Sequence, residues 1–582
     1  MKNLFTLKKY FARYRNKLLA GLLFILFSNA GMVYIPILIK DSINTLQQNV
    51  HLDRLIDYAL LIVGTSLISG IFRFYIRQTI IVVSREIEYD LRGDFWAHIQ
   101  RLPMKFFQQN STGNIMAHAT NDMNAVRMFI GPAVMYSIDT FLRLVIVVSI
   151  MITISPSLTL YSLIPLPLLS VAVYFVGKKI HARFTAIQEK FSELTTKVQE
   201  NFSGIRVIKS YAREEWEIKD FAGMSRDFLR KNMSLVKIQA FFQPMLFLLT
   251  GTSIVIVIWI GGLKVINGEL LLGDVTALVI YLGILIWPMI AFGWVINIIQ
   301  QGEASMKRLN KIFGEKYEIT DDGNTDHSIK TAGGDIIFKN VTFRYGENLP
   351  VVLDNINLEI KEGAAVAIMG STGCGKSTLV NLLPRLHDVS SGVITVGGKG
   401  IKSVPLSVLR TAIGYVPQET FLFSDTIKNN LCYGLRSADE ERMLNASAIA
   451  MFDRDVVEFP EKYNTVVGER GITLSGGQKQ RASIARALIK DPSILILDDS
   501  FSAVDTHTEE EILINLRGYM KGRTSIIISH RVSTVKECDK IIVLDKGKIA
   551  EEGTHEELLA LGGLYCDIYT KQQLEKEIQE YS

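Results

Sequence analysis

The sequence has little cysteine and no large excess of either charge. Only 4 of its 582 residues are cysteines, and all of them, Cys374, Cys432, Cys538 and Cys566, lie in the C-terminal part. They have neither the spacing of metal ligands nor the density of a disulfide framework, so we expect this part to occupy a reducing compartment. The 63 Lys and Arg residues nearly balance the 59 Asp and Glu residues, and the net charge of +4 does not predict nucleic acid as a partner.

Short-period repeats and low-complexity tracts are also absent, whereas long apolar runs are present. Hydrophobic residues make up 48% of the chain, the mean hydropathy is +0.22, and the charged residues, 21% of the total, lie mostly outside the apolar runs. This profile is typical of a membrane protein and argues against a soluble enzyme. A chain of this length holds several domains of ordinary size, which excludes one small module.

Six apolar stretches are long enough to cross a lipid bilayer as helices. A hydrocarbon core of about 30 Å requires about 20 apolar residues in a helix, which satisfies its own backbone hydrogen bonds there. The second stretch is the least regular, because Arg73 and Arg77 interrupt it. The first is longer than the apolar run of a cleavable signal peptide, so we expect it to remain as a span. The predicted spans are approximately 18–39, 56–83, 130–154, 157–177, 241–266 and 275–299.

Basic residues predict how these spans are oriented. Six Lys and Arg residues precede the first span, whereas the loops 40–55 and 264–274 hold only two and one. Because basic residues concentrate on the cytoplasmic side, we expect the N-terminus and the segments 84–129 and 178–240 to be cytoplasmic. Both segments have helical spacing and unpartnered apolar residues, which favours helices extending beyond the membrane; two ordinary loops remain the alternative.

The pattern changes after residue 300. A transmembrane domain with cytoplasmic helix extensions is predicted over 1–313, and the polar segment 314–334 is interpreted as a linker. From 335 to 575, short β-branched apolar runs alternate with helical patterns, which predicts an α/β domain. The charged residues 576–582 form a C-terminal tail.

A glycine-rich segment after the apolar strand 364–369 matches the phosphate-binding loop pattern. Its glycines let backbone N–H groups surround phosphate oxygens, and the helix that follows adds its partial positive charge. Lys376 is expected to reach the β- and γ-phosphates, and Ser377 to hold Mg²⁺ through its hydroxyl. The segment comprises Gly370, Ser371, Thr372, Gly373, Cys374, Gly375, Lys376, Ser377 and Thr378.

Two further motifs follow this loop along the chain. The apolar run 494–497 ends in Asp498, which can meet the same Mg²⁺ through water, although many buried strands end in Asp as a turn cap. Between the loop and this strand lies the pentapeptide 474–478, Leu-Ser-Gly-Gly-Gln, ahead of a helix that starts near Lys479. Taken alone, Ser475 is equally well explained as a helix cap.

The loop, the pentapeptide and the aspartate-ended strand, in this order and spacing, resemble the nucleotide-binding domain of ATP-binding cassette (ABC) proteins. With six spans ahead of that domain, the whole chain is similar to an ABC exporter half-transporter. The resemblance implies a membrane all-α domain of six transmembrane helices of the type I exporter kind, followed by an α/β P-loop NTPase domain. It implies ATP and Mg²⁺ as cofactors and a multi-pass location in the cytoplasmic membrane, with the nucleotide-binding domain in the cytoplasm.

The resemblance also implies roles for single residues. Tyr345 resembles the aromatic residue that stacks on adenine, Gln418 the glutamine that touches Mg²⁺ and the attacking water, and His530 the histidine that holds the γ-phosphate. The segment 465–471 resembles the exporter segment that contacts the cytoplasmic helices, and 502–505 resembles the loop that crosses to the partner subunit. From the residues alone, Tyr345 could be a strand-edge tyrosine and His530 a core histidine.

The pentapeptide implies that the protein is a dimer. In the family, this signature motif, here Ser475, Gly476, Gly477 and Gln478, binds the γ-phosphate held by the other subunit's loop. Each ATP therefore lies between two chains, and a chain with one cassette needs a second half-transporter. The resemblance also implies coupling helices near 112–119 and near 211–220, which transmit the movement of the nucleotide-binding domains to the membrane spans.

One catalytic position departs from the family pattern. The family usually places a glutamate after the Mg²⁺ aspartate to polarise the attacking water, whereas this sequence has Asp499. Aspartate reaches roughly 1.5 Å less far, and misplacement on that scale costs on the order of a hundredfold in rate. Such a substitution resembles one half of an asymmetric heterodimeric exporter, in which this chain's site is slow and its intact pentapeptide completes the partner's competent site. A homodimer and a largely regulatory, ATP-clamped subunit remain alternatives.

Four ionisable residues are unusual at membrane depth: Arg73, Arg77, Asp139 and Arg143. They are candidates for the substrate cavity. The alternative is an Asp139–Arg143 pair within one helix, with the other arginines reaching to lipid phosphates. The expected activity is ATP-driven export of an amphipathic or apolar small molecule or lipid, with membrane lipids as further partners.

Overall fold

The computed structural model describes residues 2–48, 52–435, 437, 439–468 and 474–581. The chain divides into two units. The first comprises Met1–Gln100 and Ser111–Glu315, and the second comprises Arg101–Asn110 and Lys316–Ser582. The regular secondary structure of the first unit is helical within its described residues, and the second is a mixed α/β unit with two sheets.

Long helices dominate the first unit. Helices α12 and α13 have 53 and 42 residues. At 1.5 Å per residue the longer one measures about 80 Å, far more than the hydrocarbon thickness of a bilayer. Short π-helical turns join α3 to α4, α6 to α7, and α7 to α8. The helices up to residue 313 are α1 Lys8–Arg13, α2 Arg15–Gln48, α3 Leu52–Ile76, α4 Val82–Ile99, α5 Met104–Gln109, α6 Thr112–Ala117, α7 Met123–Met128, α8 Val134–Ile154, α9 Pro156–Leu163, α10 Pro165–Ser203, α11 Ile205–Ser210, α12 Glu214–Ile266 and α13 Leu272–Phe313. All of them belong to the first unit except α5, which lies in the segment assigned to the second unit.

Five helical segments among the described residues are long and apolar enough to cross a membrane. They contain five of the six predicted spans and run over Arg15–Gln47, Asp53–Ile99, Thr112–Ile154, Glu214–Ile266 and Leu272–Phe313. The remaining predicted span, 157–177, coincides with α9 and the beginning of α10. Pro165 starts α10, and because proline has no N–H to donate, the hydrogen bonding of the helix is interrupted there.

The apolar residues of the first unit separate into an inner and an outer set. Val33, Val147, Leu158, Val257 and Tyr281 belong to one buried cluster contributed by α2, α8, α9, α12 and α13. Large apolar side chains are exposed on the outside, and only 6% of the most apolar window of Asp53–Ile99 is buried. A water-soluble domain does not expose apolar surface on this scale, so the outer set is suited to contact lipid.

Within its described residues, the second unit contains ten strands in two sheets. A four-stranded antiparallel sheet has the order β2-β1-β4-β5, and a six-stranded sheet has the order β10-β9-β3-β8-β7-β6. In the larger sheet all neighbours are parallel except β10 and β9. The strands are β1 Ile336–Phe343, β2 Leu353–Ile360, β3 Ala365–Gly370, β4 Ser391–Val396, β5 Lys399–Gly400, β6 Ile413–Val416, β7 Ile494–Asp498, β8 Thr524–Ile528, β9 Lys540–Asp545 and β10 Lys548–Gly553.

The apolar runs of the sequence form the centre of the larger sheet. Every residue of β7 and β8 is buried, and so is every residue of β3 after Ala365. Parallel strands covered on both faces have this continuous apolar character, and the predicted α/β domain is confirmed. The helices of this unit are α14 Lys376–Asn381, α15 Leu406–Ala412, α16 Ile427–Leu431, α17 Glu440–Ile449, α18 Asp453–Glu458, α19 Gly476–Leu488, α20 Thr506–Met520, α21 Val532–Val535, α22 His555–Leu561 and α23 Leu564–Tyr581.

The register of the central strands positions the site. Ile528 of β8 lies opposite both Ile368 of β3 and Asp498 of β7. The carboxyl ends of these three parallel strands therefore meet at one edge of the sheet, where ligands bind in open α/β sheets. The loops that leave this edge carry the glycine-rich segment, Asp499 and His530.

Candidate nucleotide-binding site

The glycine-rich loop has backbone that only glycine adopts without strain. Gly370 has φ +141°, and a Cβ atom there would lie 2.2 Å from the carbonyl oxygen of Leu544. Gly375, with φ +104°, would bring a Cβ atom to 2.9 Å from Cδ2 of Leu353. These glycines allow the chain to turn tightly between β3 and α14, and the turn is stabilised by close packing against neighbouring strands.

Lys376 lies inside the curve of this loop. Its Nζ donates hydrogen bonds to the carbonyl oxygens of Gly370 and Ser371, both at 2.9 Å, and the side chain is buried. The ammonium group is therefore held beside the backbone N–H groups of the turn. An array of donors with one fixed positive charge suits the oxygens of a phosphate group.

Two oxygen ligands suitable for a hard cation face each other next to the loop. Ser377 Oγ donates to Asp498 Oδ1 at 3.0 Å, and Tyr415 OH lies 3.5 Å from Asp498 Oδ2. Asp498 is only 2% exposed. Burial and then the charge of Asp499 raise the pKa of Asp498, against the opposing hydrogen bonds of Ser377 and Tyr415 and the charge of Lys376. Hydroxyl and carboxylate oxygens are ligands that Mg²⁺ prefers, so the residues present fit this ion.

One cavity of about 350 Å³ brings together predicted residues from distant parts of the sequence. Tyr345, Gln418, Asp498, Asp499 and His530 line it. The loop contributes most of its residues to the same cavity, namely Thr372, Gly373, Gly375, Lys376, Ser377 and Thr378. Cys374, in the same loop, is buried, and its Sγ lies 4.0 Å from Nζ of Lys376.

Tyr345 is positioned by contacts on several sides. Its OH lies 2.9 Å from Oγ1 of Thr378, and its ring packs edge-on against Phe343 and His387, with centroids 4.9 and 5.2 Å away. The tyrosine is thus fixed between β1 and α14. Burial lowers the pKa of His387, so its imidazole is neutral at pH 7.

Asp499 and His530 follow adjacent strands. Asp499 has φ +47°, in the left-handed region that Asp tolerates better than most residues, and its N–H donates to the carbonyl oxygen of Ile528 at 3.0 Å. This hydrogen bond fixes its backbone beside the end of β8. Burial and then the charge of Lys376 lower the pKa of His530, while Asp499 acts in the opposite direction.

The signature residues lie outside this cavity, at the start of α19. Ser475 caps the helix: its Oγ accepts from Gln478 N–H at 3.2 Å, and Gln478 Oε1 accepts from Ser475 N–H at 2.9 Å. Gln478 also donates to Asp455 at 3.2 Å. The alternative of a helix cap is therefore observed, and it places Ser475, Gly476 and Gly477 at the positive end of a 13-residue helix.

The start of α19 packs closely on the segment that follows Asp499. Gln480 Nε2 donates to Ser502 Oγ, and Gln480 Oε1 accepts from Ala503 N–H, both at 2.9 Å. A Cβ atom on Gly477 would lie 3.0 Å from the carbonyl oxygen of Ala503. Of the predicted segment 465–471, Thr465 and Val467 hydrogen-bond with the backbone of Ile427 and Asp425, and 469–471 lie outside the described residues.

The four membrane-depth residues line one second cavity of about 520 Å³. Arg143 pairs with Asp139 at 2.8 Å, so the predicted alternative of a pair within one helix is also observed. Asn29 donates to Asp139 at 2.8 Å and accepts from Arg143 at 3.1 Å. Arg73 contacts the sulfur of Met32 at 3.3 Å, and within the described part of the chain neither Arg73 nor Arg77 forms an ion pair.

Two residues of these sites have no clear signal in the sequence. Tyr415 donates to Asn381 at 2.9 Å and approaches Asp498, but as part of the short apolar strand β6 it has no distinguishing pattern. Asn29 is a polar residue within an apolar span, which marks it as unusual. Its partners, however, are about 110 residues away and depend on how α2 packs against α8.

A helical membrane region followed by an α/β domain with a phosphate-binding loop defines a transporter coupled to a nucleotide-binding domain. Family comparisons agree. Residues 18–289 match the ABC transporter transmembrane region, and residues 353–502 match the ABC transporter model. The chain belongs to the ABC transporter family.

Individual relatives point to the exporter branch of the family. The chain is 41% identical over 489 residues to the probable multidrug resistance ABC transporter ATP-binding/permease protein YheI of Bacillus subtilis, covering 84% of this chain and 83% of that one. It is 35% identical over 552 residues to an ATP-dependent lipid A-core flippase of Syntrophus aciditrophicus, covering 93% and 90%. A solved structure of a bacterial Atm1-family ABC exporter with ATP bound matches with a TM-score of 0.79 and 26% identity, covering 96% of this chain and 99% of that one.

These findings establish the class of activity. The protein is an ABC exporter half-transporter that hydrolyses ATP to drive transport across a membrane. The predicted fold, a transmembrane all-α region followed by an α/β nucleotide-binding domain, is confirmed. Exporters of this kind work as dimers, so this chain is one of two halves.

Proposed function

We propose that the protein is one subunit of a dimeric exporter that moves an amphipathic or apolar compound, a drug or a lipid, out of the cytoplasm or its facing leaflet. The assembly lies in the cytoplasmic membrane, with the N-terminus and the nucleotide-binding domain in the cytoplasm. The names of the multidrug and lipid A relatives support this substrate range. The domains that carry this function are the transmembrane domain 1–313, the linker 314–334, the nucleotide-binding domain 335–575 and the tail 576–582.

The observation that carries this proposal is the separation of two half-sites within one chain. The loop, Tyr345 and Asp498 line one cavity, whereas Ser475 lies outside it at the N-terminal end of α19. A chain with this arrangement has the two complementary parts of a nucleotide site but does not join them itself. Two chains placed head to tail join each loop to the other chain's Ser475, Gly476, Gly477 and Gln478.

Within the site, each residue has a chemical task. Tyr345 stacks on adenine, Lys376 and the loop amides bind the phosphates, and Ser377, Gln418 and Asp498 would hold Mg²⁺. The ion supplies charge neutralisation to the phosphate groups. Asp499 accepts a proton from the attacking water, and His530 donates a hydrogen bond to the γ-phosphate. A neutral His530, favoured by its lowered pKa, retains one N–H for this donation.

Hydrolysis at this chain's own site is slow. The backbone of Asp499 is held by Ile528, so the shorter side chain cannot be moved forward without loss of that hydrogen bond. This geometry supports an asymmetric heterodimer, in which the intact signature motif completes a faster site on a partner with glutamate. The pure chain, reconstituted alone, tests this: turnover at rates typical of enzymes would favour the homodimer.

A regulatory subunit is the second candidate, and Asp499 is the observation that favours it. In that case ATP clamps the chain to its partner and the chain itself contributes little turnover. Single-turnover hydrolysis, measured for the chain alone and with its partner, separates the two candidates. A regulatory subunit retains its ATP through many turnovers of the partner, whereas a slow catalytic subunit converts it to ADP within the experiment.

The charge of the membrane cavity supports a more specific substrate. Asp139 is occupied by Arg143 and Asn29, which leaves Arg73 and Arg77 as positive charges on the cavity wall without carboxylate partners in the described residues. Uncompensated charge is costly in an apolar setting, and a ligand of opposite charge offsets that cost. The cavity therefore suits an amphiphile with an anionic group, such as a phosphorylated lipid, beside apolar Ile280 and Trp287.

The coupling between nucleotide and transport follows from helices that reach beyond the membrane. The short helix α6, Thr112–Ala117, begins at a capping Ser111, and a turn at Tyr211–Arg213 separates α11 from α12. Both features lie at the ends of long helices in the predicted coupling regions. A displacement of either region moves a whole helix, because a continuous helix transmits motion along its axis.

A further inference from the structure

The loop that carries His530 is bound by one side chain of the C-terminal helix. Gln572, on α23, donates from Nε2 to the carbonyl oxygen of His530 at 2.6 Å. The same amide accepts from the N–H of Val532 at 2.9 Å through Oε1. The NH₂ and the carbonyl group of the Gln572 carboxamide are therefore both hydrogen-bonded to the backbone on the two sides of Arg531. Because the His530 carbonyl needs a donor and the Val532 N–H needs an acceptor, the orientation of the amide is fixed.

The opposite side of the loop is attached to α20. Arg531 forms an ion pair with Glu509, and Thr534 Oγ1 donates to the same carboxylate at 2.5 Å. Glu509 is buried, with only 2% of its surface exposed. The loop is thus held between two helices, by a buried carboxylate on one side and by the Gln572 amide on the other.

Packing between α23 and the phosphate-binding loop is incomplete. A cavity of about 420 Å³ separates them, lined by Gly370, Thr372 and His530 on one side and by Lys571 and Gln572 on the other. Further along, Tyr565 of α23 packs in one apolar cluster with Val532 and Val535 of α21. The apolar contacts hold α23 in place. Beside the cavity, the hydrogen bond from the Gln572 amide holds the backbone of His530.

We propose that Gln572 is a positioning residue for ATP hydrolysis, which holds the backbone of His530 so that the imidazole meets the γ-phosphate. The inference rests on the proposed role of His530. It makes hydrolysis sensitive to the position of α23, although this helix does not line the nucleotide cavity. Misplacement of a catalytic group by about 1 Å costs up to about a hundredfold in rate, so loss of one of two restraints is expected to cost about tenfold.

The test compares variants of the purified full-length chain in single-turnover hydrolysis of Mg–ATP. Gln572→Ala is expected to lower the rate about tenfold, while affinity for a non-hydrolysable ATP analogue changes less than about twofold. Gln572→Glu keeps the acceptor for Val532 but turns a second acceptor towards the His530 carbonyl, so it is expected to be at least as slow. Gln573→Ala, at an exposed neighbouring position, is the matched control and keeps the parental rate.

A double-mutant cycle distinguishes positioning from general stability. If Gln572 acts through His530, then Gln572→Ala causes no further loss in a His530→Ala background. Fully additive losses of rate overturn the inference. It is also overturned if Gln572→Ala loses rate together with melting temperature, while Gln572→Glu keeps both the parental rate and the parental melting temperature. An unchanged rate in both Gln572 variants overturns it and leaves the role of His530 intact. An unchanged rate in His530→Ala overturns both.

Discussion

The hydroxyl of Ser377 donates a hydrogen bond to Asp498 Oδ1 at 3.0 Å, although 121 residues separate the two in the chain. Ser377 lies in the first turn of α14, and Asp498 ends the central strand β7. Their contact places two oxygen ligands for a hard cation beside the phosphate-binding turn. One chain therefore brings together the residues proposed to bind the phosphates and the ion.

The length of the side chain at position 499 is expected to limit hydrolysis. Asp499→Glu adds the missing methylene while Ile528 holds the backbone, so we expect faster ATP turnover, by up to about a hundredfold. The measurement is steady-state phosphate release by the purified chain. Asp545→Glu makes the same change at the end of β9, which β3 and β8 separate from β7, and serves as the control. An unchanged or lower rate in Asp499→Glu would show that reach does not limit this site.

Nucleotide binding is expected to depend on Lys376. Lys376→Ala removes the only charged side chain of the loop. Loss of its charge-assisted hydrogen bond to a phosphate corresponds to roughly a tenfold or greater loss of affinity for the nucleotide. Binding of a fluorescent ATP analogue to the purified chain measures this. Lys521→Ala, an exposed lysine elsewhere in the same domain, should bind as the parent does. Undiminished binding of the analogue by Lys376→Ala would contradict the assignment of this segment as a phosphate-binding loop.

Acid is expected to destabilise the nucleotide-binding domain through His387. Its pKa is lowered in the folded state by burial, so the unfolded chain binds more protons between the two pKa values. Stability from this residue is therefore fully present above about pH 6.5 and is lost as the pH falls through the lowered folded value. Thermal unfolding between pH 7 and pH 5 measures the effect.

The variant His387→Phe isolates that contribution. Phenylalanine keeps an aromatic ring beside Phe343 and Tyr345 but does not titrate, so the fall in melting temperature on acidification should be smaller than in the parent. The exposed His327 provides the control, His327→Phe, which should retain the parental pH dependence. An identical acid response in His387→Phe and the parent would contradict the assignment.

The positive charges of the membrane cavity are expected to select anionic amphiphiles. The double variant Arg73→Gln, Arg77→Gln should lose roughly tenfold in affinity for a phosphorylated lipid, because charge-assisted hydrogen bonds are replaced by neutral ones. The readout is lipid-stimulated ATPase activity in detergent. A neutral diacylglycerol of the same chain length should stimulate parent and variant equally, and Arg15→Gln is the charge-matched control. Equal response of parent and double variant to the phosphorylated lipid would contradict the anionic selectivity.

The sequence predicts those parts of the protein that depend on local pattern. The glycine-rich loop requires positive φ values at Gly373 and Gly375, and the aspartate follows a buried apolar strand, so both motifs are visible in short segments. Apolar run length likewise identified five of the six spans, each of which lies within one continuous helical segment. The division of 157–177 at Pro165 was not predicted, because run length takes no account of a missing N–H donor.

The contacts that were not predicted are those between distant segments. Asn29 joins Asp139 and Arg143 only because α2 packs against α8, and Gln572 reaches His530 only because α23 packs against α21. Neither residue lies in a motif, and each makes its contacts through a neutral amide that has no charge pattern. Tertiary packing, which single-sequence patterns do not encode, decides such contacts.

The central claim is that bound nucleotide joins the nucleotide-binding domains of two chains. Pulsed EPR distances between one spin label in each domain of the purified assembly, with and without a non-hydrolysable ATP analogue and Mg²⁺, test it most directly. We predict a shorter distance with the analogue, and no shortening when Ser475→Arg blocks the signature end of α19 on both chains. An unchanged distance in the parent assembly with saturating analogue would contradict the account.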